Sequence, residues 1–155
     1  MDQKKKAGRY QRIQKQLEGL FPKSNNINAR LSSLIAVLHH KMDYYFWTGC
    51  YFLIDDELIV GQYQGPVACM ELKKDVGVCW AAINQKETVV VEDVHDFPGH
   101  IACDSRSQSE IVVPIINNEG EIIGVLDIDS KEKASFDQVD KEALETLVAS
   151  VFKDY

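Results

Sequence analysis

The chain reads as an α+β protein: one domain over 1–155, with a central antiparallel sheet and N- and C-terminal helices packed on one face. Three observations predict this. Apolar residues recur at helical spacing near both ends of the chain. Between them, two stretches rich in aromatic and β-branched residues are each broken by a short polar turn, the pattern of hairpins. Finally, 155 residues that are 45% apolar and 26% charged suit a single globular unit with a real core.

Taken in order, Tyr10, Ile13, Leu17, Leu20 and Phe21 share a helical face until Pro22 ends the run. A second amphipathic run follows, carrying Ile27, Leu31, Leu34, Ile35 and Leu38. Together these form a helical segment over 8–43. The period then changes. Residues 46–54 and 58–63 pair around the turn Asp55-Asp56-Glu57, and Gly65-Pro66 closes the hairpin. Residues 76–85 fit a short helix and 88–91 a buried strand. A loop of about 18 residues follows at 92–109, long enough to suggest a functional role. Residues 111–116 and 122–128 form a second hairpin around Asn118-Glu119-Gly120, so that sheet and site loop occupy 44–130. A last helix over 137–153 takes Asp137 as N-cap and buries Val139, Leu144, Leu147, Val148 and Val151.

A net charge of −7 argues against nucleic-acid or anionic-membrane partners, both of which favour a basic face. The one basic run, Lys4-Lys5-Lys6, reads as a solvated tail. No stretch approaches about 18 apolar residues. The early lysines lead into GRYQRIQKQLEGL and not into an apolar signal segment. The expected location is the cytoplasm, where thiols stay reduced and clustered cysteines serve catalysis or metals more often than structural disulfides.

The cysteines are the strongest chemical signal. Cys69, Cys79 and Cys103 stand in QGPVACMEL, VGVCWAA and FPGHIACDS. A lone intracellular cysteine is ordinarily a small buried apolar residue, and Cys50, between Gly49 and Tyr51, fits that description. No CxxC pair occurs, which speaks against structural zinc. His95 and His100 are more naturally loop-holding residues than ligands beside Cys103, so no metal is expected. Cys103 lies on the long loop with Arg106 near enough to favour its thiolate. Carboxylates follow on predicted strands: Glu110 in SEIVVPI, then Asp127 and Asp129 in GVLDIDS. Side chains two apart on a strand share a face, so Asp127 and Asp129 point the same way. If the two strands pair, Glu110 joins them, and mutual repulsion raises the pKa of at least one acid. The plainer alternative is that the two aspartates line a solvent face.

Trp47 to Ser130 resembles the free methionine-(R)-sulfoxide reductases, small stand-alone GAF domains. The resemblance rests on FWTGCYF, GPVACMEL, GVCWAA, EDVHDFPGHIACDSRSQSEIVVPI and GEIIGVLDIDS. It implies reduction of the free R epimer of methionine sulfoxide to methionine, as part of antioxidant defence. Cys103, Cys79 and Cys69 match the reactive cysteines. Glu110, Asp127 and Asp129 match the proton-handling and substrate-holding acids, and Trp47 with Tyr51 the aromatic wall against the methyl group. It further implies no metal or organic cofactor, recycling of a redox-active disulfide by thioredoxin and its NADPH system, and a homodimer packed through helices. The chemistry expected is attack by Cys103, protonation by Glu110, and resolution of a sulfenic acid by Cys69 or Cys79.

Two departures stand out. Asp75 and Trp80 occupy positions near Cys79 where the family commonly has glycine, and Cys50 replaces a more usual aromatic. The alternative function is a non-catalytic GAF module that senses a small ligand or redox state. Most GAF domains are sensory, but a sensor has no need of three spaced thiols with three acids.

Overall fold

The computed structural model describes residues 1–100 and 103–154. Four α-helices accompany a six-stranded sheet: α1 Gln3–Leu20, α2 Ile27–Lys41, β1 Trp47–Ile54, β2 Glu57–Gln64, β3 Glu71–Leu72, α3 Val78–Gln85, β4 Val89–Val91, β5 Ser109–Ile116, β6 Ile122–Ser130 and α4 Gln138–Ser150. The strand order is β3-β2-β1-β6-β5-β4, and every pairing is antiparallel. The expected α+β architecture is present, with α1, α2 and α4 on one face.

Alternation along the strands sorts the core into two layers. Cys50, Ile111, Val113, Ile115, Leu126 and Ile128 point towards α1, α2 and α4, where they meet Ile13, Leu34 and Leu147. Residues of the opposite parity, among them Trp47, Tyr51, Val112 and Val125, pack with Val78, Cys79 and Ile83 of α3. The N- and C-terminal helices share one face, as expected, and the short α3 covers the other. It can do so because Val78, Cys79, Ala82 and Ile83 put apolar surface at helical spacing.

Local chemistry explains the boundaries. Asp2 caps α1 by accepting from the Lys5 N–H, and Asn26 does the same for α2. Asp55 and Asp56 both take positive φ in the β1–β2 turn, a conformation aspartate tolerates and a tight hairpin requires. Asp137 forms a capping box with Asp140 at the start of α4. The 92–109 loop holds one short 3₁₀ helix, Val94–Asp96, and its residues 101–102 lie outside the described part.

The N-terminal basic run corrects one expectation. The helix begins at Gln3, before the expected 8, and Lys6 is not solvated: it is 3% exposed. Its ammonium donates to Asp140 at 2.6 Å and to the Ser135 carbonyl at 2.8 Å. Tyr10 donates to the same carboxylate at 2.6 Å, and Tyr44 also bonds it. A buried charge with this many partners ties α1 to α4, which composition alone does not reveal. Arg30 performs a similar task at the other end of the helical layer, donating to the Val151 and Phe21 carbonyls at 2.8 and 3.1 Å.

Candidate active site

Register brings the acids together. Glu110 of β5 lies directly across from Asp129 of β6, and Val112 across from Asp127. On the other side of β6, Asp129 faces Trp47 and Asp127 faces Gly49 of β1. All of these side chains have the parity that points towards α3. The two aspartates thus form part of a buried site and not a solvent face.

They floor a cavity of about 230 Å³. One wall is aromatic: Trp47 stacks on Tyr51 with ring centres 5.8 Å apart and on Tyr63 at 5.3 Å. Gly49 makes this wall possible, since a Cβ there would come within 2.6 Å of the Trp47 ring. The aromatics also hold the segment carrying Cys69. Trp47 Nε1 donates to the Pro66 carbonyl at 3.1 Å and the Tyr51 hydroxyl to the Cys69 carbonyl at 3.0 Å. The opposite wall comes from the start of α3, with Cys79, and from His100.

A disulfide joins Cys69 to Cys103 across the mouth, with Cα atoms 5.5 Å apart. Cys69 is half-buried and Cys103 exposed. Cys79 is free and buried beside Asp127 and Glu110; Cys50 is free on the opposite, helical face of the sheet and takes no part in the cavity. The expected charge effect of Arg106 is redirected: its guanidinium is paired with Asp104 at 2.7 Å. His95 bonds Asp93 at 2.8 Å, the loop-holding role expected of it. His100, in contrast, reaches the cavity with a buried Nε2 that has no hydrogen-bond partner.

The electrostatics favour retained protons. Burial, followed by the charges of Asp127 and Asp129, pushes the Glu110 carboxyl well above the usual range. Burial also raises Asp127, and burial with Asp127 and Asp104 raises Asp129. The Cys79 thiol is pushed far up by burial and by Asp127. Asp127 Oδ1 is buried without a hydrogen-bond partner, an acceptor left for something that enters the cavity. Among the described residues, one group has ligand atoms close enough to hold a metal: Cys79, Glu110 and Asp127, within 4.8 Å of one another. Metals bind deprotonated ligands, whereas burial favours the protonated form of each of these groups, so the trio is better fitted to proton sharing.

Sequence reasoning pointed to Trp47, Tyr51, Cys69, Cys79, Cys103, Glu110, Asp127 and Asp129, and the fold brings all eight around this cavity. It missed Gly49 and the cavity-facing role of His100. A glycine inside an aromatic strand was the available signal for the first; nothing in sequence distinguishes the His100 position.

An antiparallel sheet with α1, α2 and α4 on one face and a cavity beneath α3 on the other is the architecture of a GAF domain, and the GAF-domain family model matches residues 34–151. The chain is 38% identical to the free methionine-R-sulfoxide reductase of Escherichia coli (strain K12), across 93% of this chain and 87% of that protein. Among solved structures, the free methionine-R-sulfoxide reductase of Neisseria meningitidis in complex with its substrate superimposes with a TM-score of 0.91. It is 39% identical, covering 99% of this chain and 90% of that one. The reduced form of fRMsr of Staphylococcus aureus gives 0.88 at 44% identity, with 93% of each chain covered. The chain therefore belongs, within the GAF domains, to the free methionine-R-sulfoxide reductase family.

Proposed function

We propose that this protein is an L-methionine (R)-S-oxide reductase, which returns the free amino acid sulfoxide to methionine by thiol chemistry. The observation that carries the reading is the Cys69–Cys103 disulfide at the mouth of a cavity floored by Glu110, Asp127 and Asp129. It is the expected end state of one turnover: two thiols oxidised beside a group able to give a proton.

In this reading Cys103 is the nucleophile. It is the exposed member of the pair and so open to an incoming sulfoxide, whereas Cys79 is buried with its thiol pushed far up. The thiolate attacks the sulfoxide sulfur while Glu110 protonates the oxygen, which its raised pKa equips it to do near neutral pH. The oxygen passes to Cys103 as a sulfenic acid and methionine departs. Cys69 then condenses with the sulfenic acid, releasing water and forming the disulfide. Cys79 remains a buried third thiol beside Asp127.

Asp127 and Asp129 would take the substrate ammonium, whose positive charge favours ionising the two aspartates while Glu110 keeps its proton. Backbone N–H groups of the Cys103 loop would take the carboxylate, and Trp47 with Tyr51 the methyl group. A sulfoxide inside a peptide offers neither terminal charge, so the free amino acid is preferred. The reaction calls for no metal or organic cofactor, since the electrons come from two thiols. Thioredoxin with NADPH would replace them, and thiols that must be reduced after every turnover belong in the cytoplasm. Among the described residues no helix is long and apolar enough to cross a membrane. A homodimer packed through helices completes the reading; sedimentation at twice 17.6 kDa checks it.

The test is methionine formation with dithiothreitol, comparing the free R epimer, the free S epimer and a blocked sulfoxide peptide. Turnover of the free R epimer alone is expected. Absence of turnover with thoroughly reduced protein would leave a ligand- or redox-sensing module as the better account.

A further inference from the structure

We propose that Val67 and Met70 form the docking surface for the protein dithiol that recycles the disulfide, and that this partner attacks the sulfur of Cys69. The inference rests on the reductase reading above. Among the described residues, the two most exposed large hydrophobics are Val67 at 81% and Met70 at 75%, and they bracket Cys69. Their exposure is built in. The Pro66 and Cys69 carbonyls accept from Trp47 and Tyr51 beneath them, and the Met70 carbonyl accepts from the Val60 N–H at 2.8 Å. The segment is thus held by its backbone from below, leaving Val67 at the rim of the cavity and Met70 beyond it largely exposed beside the disulfide.

Two exposed apolar side chains held in place beside a disulfide offer a contact site, methionine being enriched in protein interfaces, and the adjoining disulfide says what makes contact. A small thiol needs no such surface. A protein whose reactive cysteines sit in an apolar surface does. Cys103, by comparison, is followed by the ion-paired Asp104 and Arg106, a polar approach. One partner thiolate attacks Cys69 Sγ, the Cys69–Cys103 bond breaks, and Cys103 leaves as a thiolate. The partner's second thiolate then attacks the mixed disulfide, releasing the Cys69 thiolate and oxidising the partner to its own disulfide. Cys103 is freed first, as the next turnover requires.

The experiment compares wild type, Met70→Ser and Met70→Leu in two assays, one driven by thioredoxin with its reductase and NADPH, the other by dithiothreitol. Met70→Ser should raise the KM for thioredoxin about fivefold, and Met70→Leu should restore it. Dithiothreitol-driven turnover and the KM for sulfoxide should not change. A thioredoxin variant lacking its second cysteine should be trapped on Cys69. An unchanged KM for thioredoxin in Met70→Ser, equal losses in both assays, or trapping on Cys103 would overturn the proposal. So would a wild-type dimer that Met70→Ser dissociates, since the surface would then belong to a second copy. Failure of wild type with dithiothreitol would instead sink the reductase reading itself.

Discussion

Glu110 concentrates the account at the scale of a single residue. The folded protein holds its proton to a higher pH than the unfolded chain does. Its contribution to stability is therefore present in acid and is lost as pH rises through the raised pKa. Glu110→Gln removes that cost while abolishing the proton donor. The expected outcome at neutral pH is a loss of turnover of about 10²-fold or more together with a melting temperature that rises. Each kcal/mol recovered is worth about 2–4 °C in a chain of this size. Turnover of the wild type should fall on the alkaline side as Glu110 loses its proton. A second residue, Gly49, gives a steric test. The Cβ of Gly49→Ala would press on the Trp47 ring, so the KM for sulfoxide should rise about tenfold while dithiothreitol still reduces the disulfide normally. Most of this site was legible because cysteines, acids and aromatics sit in distinctive local strings. The Cys69–Cys103 pairing was not, because residues 34 apart can be joined only once β1, β6 and the two loops are placed.

Among the elements, the strands were the best specified. The aspartates at the β1–β2 turn and the apolar runs on either side already define the hairpin, and the period of two in GVLDIDS assigns Asp127 and Asp129 to one face. Less was legible where tertiary contact decides. The two-residue β3 exists only because the Val60 N–H finds the Met70 carbonyl and Leu58 pairs with Leu72. The first turns of α1 looked like a charged tail because Lys6 has its acceptors far along the chain, at Asp140 of α4 and at Ser135 in the segment leading into it. That pair yields a prediction. Lys6→Ala leaves the Asp140 carboxylate buried among tyrosines without its cation and should cost about 3–5 kcal/mol, measured by urea unfolding. Substrate turnover in the folded fraction should be unaffected, since the network lies on the helical side of the sheet.

The whole molecule separates support from chemistry. One face of the sheet is sealed by α1, α2 and α4 around an apolar core; the other, beneath α3, is left with a cavity and three acids whose pKa values burial raises. The two loops carrying Cys69 and Cys103 meet above that cavity, so substrate reduction and disulfide formation share one opening. In the proposed chemistry Cys103 reduces free methionine-(R)-sulfoxide and is resolved by Cys69. Fully reduced protein, freed of reductant and mixed with excess R sulfoxide, tests it most directly, with methionine and the new disulfide quantified together. One equivalent of methionine per chain, a Cys69–Cys103 bond, and no methionine from Cys103→Ser are expected. No methionine from the reduced wild type, or undiminished methionine from Cys103→Ser, would contradict it.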